Sequence, residues 1–355
     1  MTPTHTTAGA APGTAREPAG ERADVVVVGG GAAGLGCALV LARARRDVLV
    51  LDAGGPRNAA AEHAHGYLTR EGIAPAELLR LGREEVTAYG GRVERASVDA
   101  VVRLAPDTAA VEPVEPVEPV EPVEDARDRF EVRTVDGRRV RCRALVVCTG
   151  LSDELPDVAG LGERWGRDVL HCPYCHGREV ADLRVGVLAT SPGSFHQARL
   201  VRQWCDDVVV LAHGLAVDAD EQRRLAVLDV PVEPRRVVAL EVEDDALRRA
   251  RLEDGDVVDL QALFVGPQFR GTDTLLLGLG AATERRGEGS WVVVDAHGRT
   301  SVPGLYAAGN VADPAAQVVD AVSAGSRAGV GCNGDLVDAD VEAGLERAGR
   351  DAGAP

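Results

Sequence analysis

The stretch Val25-Val-Val-Val-Gly29-Gly30-Gly31-Ala32-Ala33-Gly34 decides the fold of this chain. It is typical of a buried strand that enters a G-x-G-x-x-G turn and then a helix. Gly29 permits the tight turn, Gly31 lets a pyrophosphate approach the backbone, and Gly34 allows close packing of helix on strand. Asp52 follows the next apolar run, 21 residues after Gly31, where its carboxylate can accept hydrogen bonds from a ribose. The pattern predicts a dinucleotide-binding βαβ unit; a glycine turn with a surface aspartate is the alternative.

The same strand, helix and strand rhythm returns further along the chain. The opening unit is predicted at 25–28, 34–45 and 48–51, and a second unit at 184–188, 194–204 and 207–211. A third set places strands at 291–295 and 304–308 before a helix from about residue 317. The predicted fold class is α/β, with two doubly wound Rossmann-like domains of the three-layer ββα type, the second inserted in the first.

Composition and rhythm together predict the domain organisation. Residues 1–22 are rich in Ala, Thr, Gly and Pro without periodicity, and the end of the chain is rich in Ala, Gly, Asp and Arg. The prediction is a disordered leader at 1–22, a first dinucleotide-binding domain at 23–156 and 284–335, an inserted domain at 157–283 and a flexible tail at 336–355.

A low-complexity tract interrupts the first domain. Residues 111–124 repeat Val-Glu-Pro four times, and proline at every third position removes backbone donors and favours extended polyproline II structure. The tract lies between strand-like segments at 97–104 and 130–135. We expect a solvated loop that connects the two strands of a hairpin; docking to a proline-recognising partner is the alternative.

Charge and composition exclude several classes of function. The chain has 355 residues, 45% of them hydrophobic, but contains no apolar run of bilayer-spanning length, so a water-soluble protein is predicted. Its formal charge of −17 opposes binding to nucleic acid or to anionic membranes. All 39 basic residues are arginine, which excludes a lysine Schiff base and a P-loop lysine. Seven scattered cysteines are too few for a secreted disulfide scaffold, so a cytoplasmic location is predicted.

The segment His171-Cys172-Pro-Tyr-Cys175-His176-Gly carries the chemistry. Two thiols separated by two residues can close a small disulfide ring, and proline restrains the backbone between them. His171 and His176 can take a proton from an incoming thiol or stabilise a thiolate. Zinc binding is the main alternative, but four ligands within six residues cannot easily surround one ion. The other cysteines are predicted to be small buried hydrophobic residues: Cys37, Cys142, Cys148, Cys205 and Cys332.

Two later segments complete the pattern of the first domain. Residues 144–150 are typical of a strand that enters a turn at Thr149 and Gly150, and residues 304–311 of a strand that delivers Asn310 next to another helix. Together with the redox pair, these segments resemble the low-molecular-weight thioredoxin reductase family over residues 24–333. The Cys-Pro-Tyr-Cys-His-Gly sequence and Asn310, where that family commonly has Asp, are more similar to the dithiol oxidases that close disulfides in gliotoxin and holomycin.

The resemblance implies a cofactor, an electron path and an assembly. It implies FAD in the first domain, Cys175 facing the flavin, molecular oxygen as the electron acceptor and a homodimer. The residues expected to contact FAD are Gly29, Gly31, Ala32, Ala33, Gly34, Asp52, Ala53, Arg57, Asn58, Thr149, Gly150, Gly309, Asn310, Gln317 and Val318. Residues 63–67 and Trp165 are further candidates for the pocket wall; a solvated loop is the alternative for 63–67, and core packing is the favoured role of Trp165.

The second βαβ unit departs from a nicotinamide nucleotide site. The first two motif glycines are replaced by Ala189 and Ser191, whose side chains occupy the space that a pyrophosphate needs. Pro192 removes a backbone donor, and no arginine pair follows the next strand to hold a 2′-phosphate. NADPH binding is disfavoured, although binding through other contacts stays open.

The sequence therefore predicts an FAD-dependent dithiol oxidase. Its expected partners are a small-molecule dithiol and oxygen, with hydrogen peroxide as a product, and neither nucleic acid, membrane nor metal is expected. The catalytic candidates are Cys172 and Cys175, with His176 or His171 as the base. A disulfide reductase that uses NADPH or ferredoxin and a non-enzymatic flavin redox sensor are the alternatives.

Overall fold

The computed structural model describes residues 21–104, 127–287 and 289–352. Its strands, in chain order, are β1 (Glu21–Val28), β2 (Val48–Asp52), β3 (Arg92–Arg95), β4 (Val98–Arg103), β5 (Phe130–Thr134), β6 (Arg139–Val147), β7 (Leu151–Glu154), β8 (Val169–Leu170), β9 (Arg184–Leu188), β10 (Asp207–Leu211), β11 (Val232–Glu233), β12 (Val237–Glu243), β13 (Ala246–Leu252), β14 (Val257–Asp259), β15 (Ala262–Val265), β16 (Gln268–Gly271), β17 (Thr283–Arg286), β18 (Gly289–Val292) and β19 (Leu305–Ala307). Its helices are α1 (Ala32–Arg43), α2 (Pro75–Ala88), α3 (Pro173–His176), α4 (Gly193–Val201), α5 (Ala219–Val227), α6 (Thr274–Gly278) and α7 (Val318–Ala352).

The first sheet contains the predicted opening unit. Its strand order is β3-β2-β1-β6-β5-β4, and β19 also pairs with β6. Strand β1 runs parallel to both β2 and β6, with Val25 opposite Val48 and Ala144. Strands β4 and β5 pair antiparallel, as the hairpin prediction requires. Strand β19 returns to this sheet from the far end of the chain, so both ends of the chain build the first lobe.

Helices α1 and α7 cover one face of this sheet. Successive valines of β1 are buried on opposite faces, Val25 and Val27 beneath the helices and Val26 and Val28 against the other layer. The two helices pack very closely, because a Cβ added at Gly325 would lie 1.9 Å from the carbonyl oxygen of Ala33. This contact fixes the start of α1, which is where the dinucleotide turn ends.

A second parallel sheet forms the second lobe. Its order is β11-β10-β9-β15-β8, and all neighbouring strands in it are parallel. An antiparallel sheet of β12, β13 and β14 packs against it. The predicted doubly wound α/β fold with two Rossmann-like domains is confirmed. Helix α4, which follows β9, ends at Val201 rather than at the predicted residue 204.

Strands β7 and β16 connect the lobes. They pair antiparallel, with Leu151 opposite Gly271, so the chain leaves and re-enters the first lobe at one place. Leu276 and Ala281 are buried in the core beneath the first sheet, together with Val292. Although the division at 283 remains a prediction, this packing favours an earlier return, and we propose a boundary near residue 267.

The structure corrects two predictions about the ends of the chain. Strand β1 begins at Glu21 and pairs with Val140 at that residue, so the predicted leader at 1–22 is wrong for its last two residues. The predicted flexible tail at 336–355 is wrong up to Ala352, because helix α7 continues to that residue. The Val-Glu-Pro tract at 111–124 lies outside the described residues. Among the helices that are described, none is long and apolar enough to span a bilayer.

Candidate active site

A cavity of about 900 Å³ lies between the dinucleotide turn and the redox pair. Of the predicted cofactor-binding residues, its wall includes Gly29, Gly31, Ala32, Ala33, Asp52, Ala53, Arg57, Asn58, Thr149, Gly150, Gly309, Asn310, Gln317 and Val318. The predicted catalytic residues His171, Cys172, Cys175 and His176 line the same cavity, as does Trp165. The fold thus joins residues from both lobes in one space. Gly34 is not part of this wall.

The glycines of the turn have different tasks. Gly29 has a φ of +104°, and a Cβ there would lie 2.4 Å from the carbonyl oxygen of Cys148. A Cβ at Gly34 would lie 1.8 Å from the carbonyl oxygen of Gly29, so Gly34 serves helix packing rather than ligand contact. Gly31 borders the cavity, and a Cβ there would have no atom within 4 Å. The backbone at Gly31 is therefore open to a ligand.

Helix α1 begins at this opening. No side chain caps its N-terminus, and its first turn carries no acidic residue. Free amide groups and the helix dipole at such a terminus favour a phosphate group. Nearby, Asp52 accepts hydrogen bonds from the amides of Gly30 at 3.2 Å and Gly54 at 3.1 Å, and it pairs with Arg83 at 3.1 Å. The carboxylate is thus held at the cavity wall, where the sequence predicts a ribose contact.

Arg57 connects the first lobe to the strands that join the lobes. Its guanidinium donates two hydrogen bonds to Asp153 on β7, at 2.7 and 2.8 Å. It also lies over the ring of Phe269 on β16, 4.9 Å from the ring centroid, and its third nitrogen is 3.5 Å from Asn310 Oδ1. Bidentate pairing and stacking together fix a guanidinium plane. Arg57 is therefore a rigid part of the wall.

Asn310 organises the loop before α7. Its Nδ2 donates to the carbonyl oxygens of Asp313 at 3.0 Å and Ala316 at 2.9 Å. An aspartate at this position has no proton to donate at neutral pH. The departure from the usual aspartate of the family is thus matched by a local hydrogen-bonding role. Elsewhere in the cavity wall, the hydroxyl of Thr149 donates to the carbonyl oxygen of Thr272 at 2.5 Å.

Cys172 and Cys175 form a disulfide, with 5.2 Å between their Cα atoms. Cys172 precedes the short helix α3, in which Pro173 occupies the first turn. The backbone amide of Cys175 lies 3.2 Å from Cys172 Sγ and donates to it. A hydrogen bond from an amide stabilises a sulfur that carries negative charge. The pair is half-buried and borders the cavity.

His171 has a fixed orientation. Its Nδ1 lies 3.1 Å from the carbonyl oxygen of Val265, a contact that requires a proton on Nδ1 and leaves the lone pair of the neutral ring on Nε2. The ring of Phe269 packs edge-on against it, 5.2 Å between centroids. Burial lowers the pKa of His171. His171 is thus held as a neutral imidazole, which is the form that accepts a proton.

His176 lies on the other side of the pair in a more charged environment. Burial lowers its pKa, the charge of Glu179 partly opposes this effect, and His65 adds to it. His65 comes from the first lobe and lies between two carboxylates, with Nδ1 at 2.8 Å from Glu71 and Nε2 at 3.5 Å from Glu179. The surroundings of His176 therefore include residues of both lobes.

In the turn of the second βαβ unit, a side chain of the turn itself binds the backbone amides. Ser194 is buried, and its hydroxyl accepts hydrogen bonds from the amides of Thr190 at 3.1 Å and Ser191 at 3.4 Å. The Thr190 hydroxyl donates to the carbonyl oxygen of Gly266 at 2.7 Å. Amides that would bind a pyrophosphate in a nucleotide site thus have partners within the protein.

The remaining cysteines are all buried, as predicted. Burial raises the pKa of Cys148 and of Cys332 to about 12 in each case, so these thiols stay protonated and unreactive at neutral pH. Within 21–104, 127–287 and 289–352, no group of three or more His, Cys, Asp or Glu side chains is arranged to hold a metal ion.

Several residues at or beside the cavity wall carried little or no signal in the sequence. Asp153 on β7 and Phe269 on β16 line the cavity. Glu179, in the segment after α3, contacts His65. The positions of all three depend on how the lobes meet. Tyr174, between the two cysteines, borders the cavity with 64% of its surface exposed and packs edge-on against Trp204 at 5.5 Å. Because Tyr174 lies between the two cysteines, its position in the sequence could have indicated that it lines the cavity.

This arrangement defines a class of protein, namely a two-lobed α/β oxidoreductase in which a dinucleotide cavity faces a redox-active disulfide. A model of the family described as pyridine nucleotide-disulphide oxidoreductase matches residues 23–328. The chain therefore belongs to that family. Its thioredoxin reductase-like members bind FAD, and the open backbone at Gly31, the free start of α1 and the held carboxylate of Asp52 fit that cofactor.

Individual relatives agree with this assignment. Thioredoxin reductase sirT of Leptosphaeria maculans is 30% identical over 340 residues, which cover 90% of this chain and 96% of that protein. The crystal structure of HlmI is 46% identical with a TM-score of 0.83, and the match covers 94% of this chain and 98% of that one. The oxidoreductase from Agrobacterium tumefaciens is 34% identical with a TM-score of 0.78 and covers 89% and 99%. The chain is thus similar to thioredoxin reductase-like enzymes over most of its length.

Proposed function

We propose that this protein is an FAD-dependent dithiol oxidase. It closes an intramolecular disulfide in a small-molecule dithiol and uses oxygen as the electron acceptor. The observation that carries the proposal is a contrast within the structure. The redox pair lies in the same cavity as the first dinucleotide turn, whereas Ser194 occupies the amides of the second turn. Electrons then have an entrance through the disulfide and none through a nicotinamide.

The first chemical step is attack on the enzyme disulfide. The Nε2 lone pair of His171 accepts the proton of a substrate thiol, because Nδ1 is committed to Val265. The substrate thiolate attacks Cys172, a mixed disulfide forms with that sulfur, and the bond to Cys175 breaks to leave the Cys175 thiolate. By resemblance to the family, Cys175 is the cysteine on the flavin side.

The second step releases the product. The remaining substrate thiol loses its proton and attacks the substrate sulfur of the mixed disulfide, and Cys172 leaves as a thiolate. The amide of Cys175 stabilises this leaving group, because it donates to Cys172 Sγ. Bound FAD supplies the acceptor chemistry, in which the two electrons and two protons of the enzyme dithiol pass to oxygen to give hydrogen peroxide and the disulfide is restored.

The two reductase alternatives require features of the second turn or of the protein surface that differ from those of this protein. An NADPH-dependent reductase requires free amides and small residues at the second turn, where Ala189 and Ser191 replace glycines. A ferredoxin-dependent reductase must dock an acidic protein, which a net charge of −17 opposes. A cytoplasmic location and a homodimer remain predictions of the sequence and of the resemblance.

Anaerobic reduction tests the proposal directly. The purified flavoprotein is mixed without oxygen with dithiothreitol or with NADPH, flavin absorbance is followed, and air is then admitted. We expect dithiothreitol to bleach the flavin and air to restore it with one hydrogen peroxide per flavin. Fast bleaching by NADPH would support a reductase, and no bleaching by either compound would support a redox sensor.

Serine variants of the pair locate the entrance for electrons. Cys172→Ser and Cys175→Ser should each abolish dithiol oxidation and keep bound FAD, since both sulfurs are needed for the exchange. Cys205→Ser is the control, because Cys205 is buried in the core of the second lobe. Undiminished oxidation in either of the first two variants would contradict the assigned roles.

A further inference from the structure

Two contacts join the lobes on either side of the redox segment. Ala60 of the first lobe meets Gly166 of the second, and His65 of the first lobe meets Glu179 of the second. We call these four residues the lobe seam. Gly166 precedes Cys172 by six residues and Glu179 follows Cys175 by four. The segment that carries the disulfide is thus held to the first lobe at both of its ends.

The contact at Gly166 leaves no space between the lobes. Gly166 has a φ of +80°, which suits glycine. A Cβ at this position would lie 2.6 Å from the Cβ of Ala60 and 2.9 Å from the carbonyl carbon and oxygen of the same residue. The backbone of Ala60 cannot yield as a flexible side chain would, because it lies in the turn Arg57–Ala60 at the cavity wall. Any side chain at Gly166 therefore pushes the lobes apart.

The contact at His65 is polar and is oriented from within the first lobe. Glu71 accepts from His65 Nδ1 at 2.8 Å and from the amide of Gly66 at 2.8 Å. The loop that carries these residues is closed by a bridge between Ala64 and Ile73. The Nε2 atom of His65 is thereby directed at Glu179, at 3.5 Å.

We propose that the lobe seam positions the Cys172–Cys175 disulfide at the flavin cavity and that its four members are positioning residues for dithiol oxidation. The inference rests on the proposed function, since a fixed disulfide serves an enzyme that admits electrons only from dithiols. The tight contact at Gly166 sets the distance between the lobes, and the pair at His65 fixes the other end of the segment. A misplacement of about 1 Å in a reacting group slows chemistry by up to roughly 100-fold.

Gly166→Ala is the main test, and Gly137→Ala is its matched control. Gly137 has a similar φ of +86°, but a Cβ there would meet no atom within 4 Å, so both variants carry the same backbone strain and only one carries the clash. In Gly166→Ala we expect flavin reduction by dithiothreitol to slow by roughly 10- to 100-fold, with FAD retained. We also expect iodoacetamide to alkylate the reduced pair faster, which reports exposure rather than turnover.

The polar half of the seam is tested by His65→Gln, Glu179→Gln and the double variant. Each single change should slow flavin reduction about two- to fivefold, as expected for a part-exposed polar contact. The double variant should be no slower than either single variant, because both remove the same contact. Glu163→Gln is an exposed control on the same lobe.

The outcomes separate this proposal from the proposed function. Wild-type flavin that is not bleached by dithiothreitol would overturn the function, while the alkylation comparison would still test the seam. A Gly166→Ala protein with wild-type bleaching and alkylation would overturn the seam, and so would equal effects in Gly137→Ala. Additive effects of the His65 and Glu179 changes would overturn the polar contact.

Discussion

The turns at 29–34 and at 189–194 join the same kinds of element, a parallel strand and the helix that follows it, but they treat their backbone amides differently. In the first turn Gly31 borders an open cavity, and a Cβ at this position would meet no atom within 4 Å. In the second turn Ser191 stands where the first turn has Gly31, and the hydroxyl of Ser194 accepts hydrogen bonds from two amides of its own loop. The first turn thus leaves its backbone open to a phosphate at Gly31, whereas two amides of the second turn are bound by a side chain of their own loop.

The difference teaches that a βαβ topology does not by itself make a nucleotide site. The fold brings the amides together in both lobes, since strands β1 and β9 each run parallel to their neighbours. Binding also needs unoccupied amides and small residues beside them. A lobe that keeps its topology and loses these features can still serve as the support for a redox pair.

The largest expected effect comes from adding one methyl group to each of the two turns and comparing the flavin content of the variants. Gly34→Ala should yield protein with little or no FAD, because the new Cβ would lie 1.8 Å from the carbonyl oxygen of Gly29. Gly193→Ala is the control in the second turn, where the nearest atom is Ser191 Oγ at 3.4 Å, and it should keep its FAD. The measurement is flavin absorbance per chain. Full flavin content in Gly34→Ala would remove the distinction between the turns.

The next largest effect concerns His171, the proposed base at the disulfide, and the rate of flavin reduction. His171→Gln should slow flavin reduction by dithiothreitol about 100-fold at pH 7, as expected for the loss of a general base. Exposed His297→Gln is the control. Because burial lowers the pKa of His171 from 6.5, the wild-type rate should hold at pH 7 and fall as the pH drops through that lowered pKa. Stopped-flow rates over pH should show this acidic limb in wild type and lose it in the variant.

The same pKa shift has a consequence for stability. The unfolded chain binds a proton at His171 more readily than the folded site does, so the free energy of unfolding falls as the pH drops below about 6.5. His171→Gln should weaken this dependence. Urea unfolding at several pH values measures it, and an unchanged acid dependence would contradict a buried neutral imidazole.

A smaller effect concerns the second turn alone. Ser194→Ala leaves the amides of Thr190 and Ser191 without their buried partner, which should lower the free energy of unfolding by about 1–3 kcal/mol. NADPH should still fail to bleach the flavin, since Ala189 and Pro192 remain in place. Exposed Ser290→Ala is the control for the loss of a hydroxyl. Fast bleaching by NADPH in Ser194→Ala would show that one hydroxyl alone closes this site.

The smallest effect tests the departure from the family within the first lobe. Asn310→Asp cannot donate to the carbonyl oxygens of Asp313 and Ala316, so the loop before α7 should loosen. We expect the Kd for FAD to rise about three- to tenfold, which corresponds to one or two weak hydrogen bonds. Titration of the apoprotein with FAD gives this value. Tighter binding in the variant would show that the lost donor does not matter.

Local sequence patterns predicted the elements around both turns well. The valine run before Gly29 and the apolar strands at β2, β9 and β10 lie where the rhythm predicted, because each is a short hydrophobic segment bounded by turn residues. The end of the chain was predicted less well. Residues rich in Ala, Gly, Asp and Arg indicated a tail, but they continue α7. Ion pairs of Asp340 on α7, such as that with Arg143 on β6, stabilise a helix that its composition does not favour.

Side-chain partners across the cavity were beyond local patterns. Nothing in the spacing of Arg57, Asp153 and Phe269 indicates that they meet, because they lie far apart in the chain and converge only where β7 and β16 pair. The same holds for His65 and Glu179. The boundary at 283 rests on rhythm and stays a prediction, whereas the packing of Leu276 beneath the first sheet is a tertiary contact that rhythm does not detect.

The sequence by itself determined the chemistry at hand: a glycine turn for a dinucleotide, two cysteines one helical turn apart, and a second turn without its glycines. These features are local, so residue type and spacing suffice to define them. Only the tertiary structure decided that the disulfide borders the dinucleotide cavity, which amides are free and where the lobes touch. Those properties depend on distances between residues far apart in the chain, and such distances are set by packing of the whole fold.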